Sequence, residues 1–396
     1  MAPFLRQREE TRGTPVTISD VMAALDRIAP PELAEPWDNV GLLLGDPSAP
    51  CTRVLVALEA DLALLRRAAA AKAQLIISHH PALFRPLRAV TSGEPVGALL
   101  LAAARQPVAL AAAHTNYDAA PGGVSDVLAG LLDLRSTEPL APAERGALAK
   151  IVVFTPAGDL DAVLRALGES GAGVIGQYRE CTFRAPGTGT FRPLADARPT
   201  VGRAGRPSAG SGRPRAWSRG RREEIAEFRL EAVVPLALAQ RAAQAVRAAH
   251  SYEEPAIDVY PLAGGRAGVG IGRCGRLPRA TRADRLVRRI KQRLAVRRVR
   301  VAGDLRRRVE RVAVCGGSGG RGIEDAVRQG CQLYLTGDVS HHQAIAAAAA
   351  GLVVVDAGHA PTEAPAIPVL ARRLADLCRG VRFTAVGTSP GPFRTV

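Results

Sequence analysis

Short apolar runs that alternate with amphipathic helical segments are the feature that most constrains the fold of this chain. The predicted strands of this kind lie at 53–58, 74–78, 107–112, 310–315, 332–336 and 352–355. Short apolar strands separated by helices indicate a mostly parallel sheet that is covered on both faces. A first helix is predicted over 20–28, with Ser19 as its candidate cap. We therefore predict an α/β fold with a sandwiched sheet.

Residues 149–262 follow a different order from the segments on either side. Strand, helix, two strands, helix and strand are predicted there, and a βαβ…βαβ order of this size suggests a ferredoxin-like α+β domain. An Arg/Gly/Pro-rich segment near 198–222 would form a loop inside it. We therefore predict one α/β domain that is split by an inserted domain, with the parts at 1–145, 146–263 and 264–396.

Length and composition are those of a globular protein. A chain of 396 residues is long for one core, which favours two or three domains. No apolar run is long enough to cross a bilayer, and the first residues lack the apolar segment of a secretory signal, so we expect a cytoplasmic protein without membrane contact. The six cysteines are far apart and form no CxxC pair, which argues against a disulfide framework or a structural zinc knuckle.

The formal charge of +16 raises the question of a nucleic-acid partner. Nearly all of the positive charge is arginine, because lysine occurs at only three positions, and this pattern suggests a coding bias. Much of the excess lies in 198–222 and 279–311. Within the second segment, residues 281–294 have apolar residues at helical spacing, which is typical of a solvated helix face. Nucleic-acid binding is therefore not the favoured function.

Two histidines follow the predicted strand at 74–78. They lie in Ser78-His79-His80-Pro81, after the carboxyl end of the strand, where ligands gather in parallel α/β sheets. Adjacent side chains there point in different directions, so each histidine can serve a different metal ion. By itself, a His-His pair is more typical of loop histidines that make local hydrogen bonds.

A second candidate cluster, His114-Thr-Asn-Tyr-Asp118, follows the strand at 107–112 in the same topological position. Asp118 offers a hard carboxylate that suits a metal ion, and His114 is a candidate ligand, general base or orienting group. Gly122 and Gly123 then open a predicted helix, whose N-terminal amides favour a nearby anion.

A third candidate cluster follows the strand at 352–355, far along the chain. Its His359 and Glu363 are four residues apart and share one face if a helix has begun there. Imidazole and carboxylate ligands without thiolate suit two divalent ions, such as Zn, Mn, Fe or Co, in a hydrolytic site. The predicted metal ligands are His79, His80, Asp118, His359 and Glu363.

A further pair, His341 and His342, precedes a predicted helix. With three histidines already available as ligands, we predict that these two line the pocket or act, like His114, as proton shuttles. Capping of the helix by Asp338 or Ser340 is an equally good explanation of this segment.

Two segments, 317–322 and 270–275, match the GxGxxG pattern of dinucleotide-binding loops. Neither has the full context that the pattern requires, with a βαβ unit and an acidic residue about twenty residues further on. The first stays a candidate amide nest for a phosphate. The second is predicted to be a strand or a bulge.

Five separated motifs together resemble the GTP cyclohydrolase 1 type 2 homologues, also called Nif-three-like or dinuclear metal centre proteins. In order along the chain they are Glu35-Pro-Trp-Asp-Asn-Val-Gly-Leu42, Ser78-His-His-Pro81, His114-Thr-Asn-Tyr-Asp118, Tyr334-Leu-Thr-Gly-Asp338 and Asp356-Ala-Gly-His359-Ala-Pro-Thr-Glu363. Within the insert, Gly189-Thr-Phe-Arg-Pro193 and His250-Ser-Tyr-Glu-Glu-Pro255 resemble the PII/CutA-like inserted domain of the family's longer members.

The resemblance implies that the same five residues bind two metal ions per chain, that Glu363 is shared by both ions, and that the chains form toroidal homohexamers. We therefore expect a dinuclear-metal hydrolase that acts on a small molecule, either nucleotide-like or a phosphoester. The alternative is a non-catalytic, metal-dependent regulator whose inserted domain binds a partner.

Overall fold

The computed structural model describes residues 15–142, 147–176, 178–193, 199–200, 222–262 and 268–387. Two compact units are present. The first contains the described residues up to Ala141 and those from Gly270 onward, and the second contains those between. Most of the predicted Arg/Gly/Pro-rich loop near 198–222 lies outside the described residues.

Strands and helices alternate along the described part of the chain. The strands are β1 (Gly41–Leu44), β2 (Arg53–Ala57), β3 (Leu75–Ser78), β4 (Ala109–Ala112), β5 (Arg135–Pro142), β6 (Leu148–Thr155), β7 (Thr182–Phe191), β8 (Glu223–Pro235), β9 (Ile257–Pro261), β10 (Gly270–Arg282), β11 (Arg300–Ala302), β12 (Arg308–Ser318), β13 (Leu333–Gly337), β14 (Val353–Asp356) and β15 (Arg382–Ala385). The helices are α1 (Ile18–Ile28), α2 (Leu62–Ala70), α3 (Pro95–Ala104), α4 (Thr115–Ala119), α5 (Val124–Leu131), α6 (Leu160–Glu169), α7 (Ala239–Ala249), α8 (Ala283–Arg293), α9 (Ile323–Arg328), α10 (His341–Ala349), α11 (His359–Glu363) and α12 (Ala366–Leu377).

The first unit contains a five-stranded sheet in the order β1-β4-β3-β2-β15. Strands β15, β2, β3 and β4 run parallel, and β1 pairs antiparallel with β4. Alternate residues of β2 face opposite sides, so Val54 and Val56 pack with α1 and α12, whereas Leu55 packs with α2 and α3. Every residue of β3 and β4 is buried, as expected for strands that are covered on both faces.

A second sheet in the same unit has the order β11-β14-β13-β12-β10-β5. Its central strands β12, β13 and β14 are parallel. Helices α5 and α8 cover one face of this sheet, and α9 and α10 cover the other. The single sandwiched sheet that the sequence predicts is therefore two sandwiched sheets. The difference arises because β2, β3 and β4 pair with one another and with β1 and β15, whereas β12, β13 and β14 pair with one another and with β10 and β11. Alternation along the sequence does not show which strands pair.

Two predicted helix boundaries are wrong. Helix α1 is capped by Thr17 and not by Ser19, because Thr17 and Asp20 exchange backbone and side-chain hydrogen bonds in a capping box. The helix predicted over 362–378 is two helices, α11 and α12. Pro365 lies between them and has no N–H to continue the helical hydrogen bonds.

Helix α8, in the arginine-rich part of the sequence, buries its apolar side. Leu286 and Ile290 are 1% and 0% exposed, as the helical spacing predicts. Three of its arginines pair with carboxylates inside the same unit: Arg288 with Asp284, and both Arg289 and Arg293 with Asp133. Part of the positive charge on this helix is therefore neutralised by acidic residues of the same unit. Among the described helices, none has the length and apolarity needed to span a bilayer.

A buried ion pair joins the helix after the Asp118 segment to the second sheet. Arg273, on β10, is 2% exposed and donates from Nε and Nη2 to the two carboxylate oxygens of Asp126 on α5, each at 2.7 Å. Its Nη1 donates to the carbonyl oxygens of Gly270 and Gly272, at 2.6 and 2.7 Å. A bidentate guanidinium–carboxylate pair with this geometry fixes both partners in position.

The second unit is built on a four-stranded antiparallel sheet in the order β7-β8-β6-β9. Along the chain its elements follow the order β6-α6-β7-β8-α7-β9. Helices α6 and α7 pack on one face of the sheet through Val163, Leu167 and Val246, which are at most 1% exposed.

Candidate metal centre

The structure brings together the ends of strands from both sheets of the first unit. His79 and His80 follow β3, and His114 and Asp118 follow β4, so these four residues lie at the carboxyl edge of the first sheet. Strand β14 of the second sheet leads into α11, which begins at His359 and ends at Glu363. All five predicted ligands therefore belong to one cluster, which also includes His114.

Glu363 occupies the middle of this cluster and is 3% exposed. Its Oε1 lies 3.6 Å from His79 Nε2 and 3.2 Å from His359 Nε2, and its Oε2 lies 3.1 Å from His80 Nε2. Asp118 Oδ1 is 3.6 Å from His79 Nε2, and the Nε2 atoms of His80 and His359 are 3.2 Å apart. One carboxylate thus touches three imidazoles and uses both of its oxygens.

The histidines of the first strand end are each held by Nδ1. His79 is fully buried and its Nδ1–H donates to the carbonyl oxygen of Ala113 at 2.8 Å. His80 Nδ1 lies 2.6 Å from the carboxylate of Glu59. Because Nδ1 is occupied by these acceptors, Nε2 is the nitrogen that each ring presents to the cluster.

The other two histidines follow the same rule with carboxylate partners. His114 Nδ1 lies 2.8 Å from Asp38 Oδ1, and His359 Nδ1 lies 2.6 Å from Asp338 Oδ2. The structure therefore gives Asp338 to His359 as a partner, whereas Ser340 caps α10. A histidine held at Nδ1 by a carboxylate is the usual arrangement for imidazole ligands of metal ions.

Asp38 is a residue of the candidate site to which the motifs assign no role. Its Oδ2 accepts hydrogen bonds from the backbone N–H and the hydroxyl of Thr115, and its Oδ1 accepts from His114. Burial alone would raise the pKa of Asp38, but these hydrogen bonds hold it at about 2. In the sequence, only the position of Asp38 in the Glu35–Leu42 motif points to a role. The motif does not show that the partner of Asp38 is His114, 76 residues away.

Three atoms in the cluster are buried and make no hydrogen bond within the described structure. They are His79 Nε2, Asp118 Oδ1 and Glu363 Oε2, whose nearest polar neighbours lie outside hydrogen-bond geometry. A buried polar atom without a partner is costly, and its occurrence in a native fold needs an explanation. Divalent metal ions satisfy imidazole and carboxylate lone pairs together, so the donor set fits them.

Charges within the cluster are strongly coupled. Burial opposes protonation of His80, but Glu363 and Glu59 raise its pKa to about 10. Hydrogen bonding to Glu363 raises the pKa of His359 to about 9, and burial of Glu363 is outweighed by the histidines, which hold its pKa well below the usual range. Burial raises the pKa of Asp118. Without metal, positive charge on the imidazoles balances the carboxylate that they surround.

A pH dependence of stability follows for the metal-free protein. The pKa values of His80 and His359 are raised above about 6.5, the value in an unfolded chain. Their contacts therefore contribute stability that is fully present below about pH 6.5 and is lost as the pH rises through about 9 to 10. We expect chelator-treated protein to unfold at a lower urea concentration at about pH 10 than at about pH 6.

Two controls separate this effect from general alkaline unfolding. A His359→Gln variant lacks one of the raised groups and should show a smaller loss between the same pH values. Metal-loaded protein should gain stability from about pH 5 to 8, because imidazoles bind metal only when deprotonated. Equal urea midpoints for the chelator-treated protein at about pH 6 and about pH 10 would contradict the raised pKa values of His80 and His359.

Glycines from the end of β12 form a wall of the cluster. A Cβ on Gly317 would lie 2.1 Å from Glu363 Oε1 and 3.2 Å from His359 Nε2, and the residue has a φ of +61°. Its N–H donates to Thr362 Oγ1 at 2.9 Å, which ties this strand end to α11. The GxGxxG match at 317–322 thus begins with a residue that packs against the candidate ligands.

His341 and His342 are exposed on the first turn of α10. Their rings are 5.6 Å from each other. Within the described residues, neither histidine makes a hydrogen bond or an ion pair with the cluster. Their predicted role as proton shuttles stays a prediction, whereas His114 stands beside His79 and His80 with ligand atoms that all lie within 4.8 Å.

Comparison with known proteins gives consistent matches over most of the chain. The family model described as Duf34/NIF3 (NGG1p interacting factor 3) matches residues 16–392. A protein of Bacillus subtilis named GTP cyclohydrolase 1 type 2 homolog is 35% identical over 377 residues, covering 94% of this chain and 97% of that protein. One of the same name from Halalkalibacterium halodurans is 36% identical, with 86% and 87% covered. The crystal structure of a Bacillus cereus protein related to NIF3 superposes with a TM-score of 0.71 at 34% identity, covering 97% of this chain and all of that one.

Proposed function

This chain belongs to the Duf34/NIF3 family, and on that premise we propose that it is a dinuclear-metal hydrolase. His79, His80, Asp118, His359 and Glu363 would hold two divalent ions, with Glu363 shared between them. The substrate is a small molecule, either nucleotide-like or a phosphoester.

The observation that carries the proposal is the common orientation of the histidines. All four are held at Nδ1 by an acceptor outside the cluster, which leaves four Nε2 atoms for the centre. Buried oxygens of two carboxylates, which make no hydrogen bond, lie among them. Histidines that served only as core packing would have no reason to share one orientation around such oxygens.

The residues of the chain have distinct roles in this centre. A pair of divalent ions supplies Lewis acidity toward a substrate oxygen and makes a water acidic enough to ionise near neutral pH. Glu59, Asp38 and Asp338 fix the tautomers of their histidines, so that no ring reorients during turnover. His114 is held by Asp38 at Nδ1, and its Nε2 is therefore the atom that accepts or returns a proton if it is not itself a ligand.

Three further features belong to the proposal. The second unit is inferred to be an inserted ferredoxin-like domain, which its βαββαβ order and its sheet order β7-β8-β6-β9 support. We propose a homohexamer, which the resemblance implies, and a cytoplasmic location. The metals, from Zn, Mn, Fe and Co, are proposed on the ligand chemistry alone.

Elemental analysis of the purified protein, followed by an activity screen, tests the function. We expect about two transition-metal ions per chain. Among nucleotides, phosphoesters and cyclic amides, we expect turnover of at least one class that chelation abolishes and metal restores. A matched control is the double variant His341→Gln/His342→Gln, which should keep both ions because neither residue touches the cluster.

Each outcome of this test has a definite meaning. Folded protein without bound transition metal would refute the centre. Two ions per chain without turnover of any class would instead indicate the non-catalytic, metal-dependent regulator. A fall in turnover in the double variant at full metal content would assign proton transfer to His341 or His342.

A further inference from the structure

Two large aromatic side chains next to the metal centre are exposed to solvent. Trp37 is 54% exposed and Phe84 is 44% exposed, and their ring centroids are 5.8 Å apart at an interplanar angle of 70°. Both rings stand edge-on to His114, at 6.3 and 6.1 Å. The His114 ring is in turn 5.3 Å from that of His79. Both aromatic rings therefore lie against His114, which in turn lies against the candidate ligand His79.

The backbone that carries Trp37 is fixed on both sides of the ring. Two residues earlier, the N–H of Glu35 donates to Thr115 Oγ1 at 2.9 Å, and one residue later Asp38 is bound through both of its oxygens. Asn39 Nδ2 then donates to the carbonyl oxygen of Leu83 at 2.6 Å, which ties this segment to the one that carries Phe84. The backbone segments that carry the two rings are thus tied to each other and to the segment after β4.

Such an arrangement is unfavourable for the free protein. Exposed aromatic surface forgoes the stabilisation of burial. Aromatic pairs that present their rings to solvent at a fixed site bind flat groups by stacking, with little entropy cost on binding.

Unpaired positive charge lies on the same segment as Phe84. Arg85 and Arg88 are exposed, and neither makes a hydrogen bond or an ion pair with any residue that the structure describes. Guanidinium groups of this kind recognise phosphate, and they also stack on bases. The segment that carries Phe84 therefore combines an exposed aromatic ring with two exposed cations.

We propose that Trp37 and Phe84 stack the base of a nucleotide whose phosphate lies at the metal centre. This inference rests on the proposed function. It narrows the proposed substrate from a nucleotide-like molecule or a phosphoester to a phosphorylated molecule that carries a flat heteroaromatic ring. Aromatic side chains accept any base because each base has a π face. The site is thus expected to prefer nucleotides over sugar phosphates, with little preference among bases.

Tryptophan fluorescence gives a direct readout, because the sequence contains only two tryptophans, Trp37 and Trp217. A Trp217→Phe variant leaves Trp37 as the single emitter. The metal-loaded variant is titrated with the four nucleoside 5′-monophosphates and, separately, with ribose 5-phosphate. Saturable quenching by each nucleotide is expected, whereas ribose 5-phosphate, measured by calorimetry, should bind without quenching.

Substitution of the rings then measures their contribution. Trp37→Leu and Phe84→Leu should each weaken nucleotide binding roughly 5- to 150-fold, the range for loss of one stacked base. Metal content and the affinity for ribose 5-phosphate should not change. Phe183→Leu is the matched control, because Phe183 is 65% exposed on β7 in the other unit and should leave every affinity unchanged.

Failure of the stacking proposal can be told apart from failure of the metal proposal. Equal affinities for nucleotides and ribose 5-phosphate, or nucleotide affinities unaffected in both ring variants, would overturn stacking while leaving a metal-dependent phosphate site intact. No binding of any nucleotide would overturn it as well. Protein without metal, or ribose 5-phosphate binding that survives chelation, would count against the metal centre itself. A ring variant that alters only the oligomeric state would reassign the rings to a protein interface.

Discussion

Glu363→Gln is expected to lower the metal content from about two ions per chain to one or fewer and to abolish metal-dependent turnover. The amide has nearly the same size as the carboxylate but carries no charge and has only one acceptor oxygen. Glu363 contacts His79, His80 and His359, so its loss removes the shared negative charge from the middle of the cluster. Elemental analysis and activity, with circular dichroism to verify folding, provide the measurement.

Glu59→Gln is the matched comparison for this variant. Glu59 is 64% exposed at its side chain and touches only the Nδ1 side of His80. Loss of such an outer partner typically costs about 10- to 100-fold in metal affinity or activity, so both ions should still bind at high metal concentration. Two tightly bound ions in folded Glu363→Gln protein would show that Glu363 is not a shared ligand.

Asp126→Ala is expected to lower the free energy of unfolding of the first unit by up to about 3–5 kcal/mol, the range for removing one partner of a buried ion pair, because Asp126 keeps 25% of its side chain exposed. Asp126 neutralises Arg273, which is 2% exposed and cannot turn outward to water. Urea unfolding followed by circular dichroism measures the effect, with metal removed so that ligand binding does not contribute.

The surface pair Arg276–Glu310 serves as the control. Its side chains are 56% and 55% exposed, and Glu310→Ala should therefore cost no more than about 1 kcal/mol. Similar losses in the two variants would mean that Asp126 does not act by compensating a buried charge.

Sequence reasoning identified the inner residues of the candidate site better than the outer ones. The five candidate ligands follow apolar runs, and the edge of a parallel sheet collects residues in that position regardless of their distance along the chain. Glu59 and Asp338 also follow predicted strands, and Asp38 lies in the Glu35–Leu42 motif, but the sequence does not show which histidine each of them supports. Their pairing depends on tertiary contacts, such as the 76-residue separation of Asp38 and His114.

The same dependence on tertiary contacts explains which predictions of the fold were wrong. Periodicity indicated most strands and helices, but β1 and β15, at the two edges of the first sheet, were not predicted. Which sheet a strand joins depends on tertiary contacts, and the strands expected in one sheet pair in two separate groups. The Thr17 cap was missed because a capping box requires a reciprocal bond with Asp20, and Ser19 is an equally suitable residue type.

The return of β15 to the first sheet also bears on how the protein is made. During synthesis, β2 emerges from the ribosome long before the strand that covers its edge, and His80 precedes His359 by 279 residues. The segment between them contains the whole second unit, which can fold by itself while the first unit still lacks strands. A growing chain therefore offers only part of the candidate donor set, and the proposed metal centre cannot be complete until translation is nearly finished. Contacts this distant along the chain also predict slow folding of the first unit.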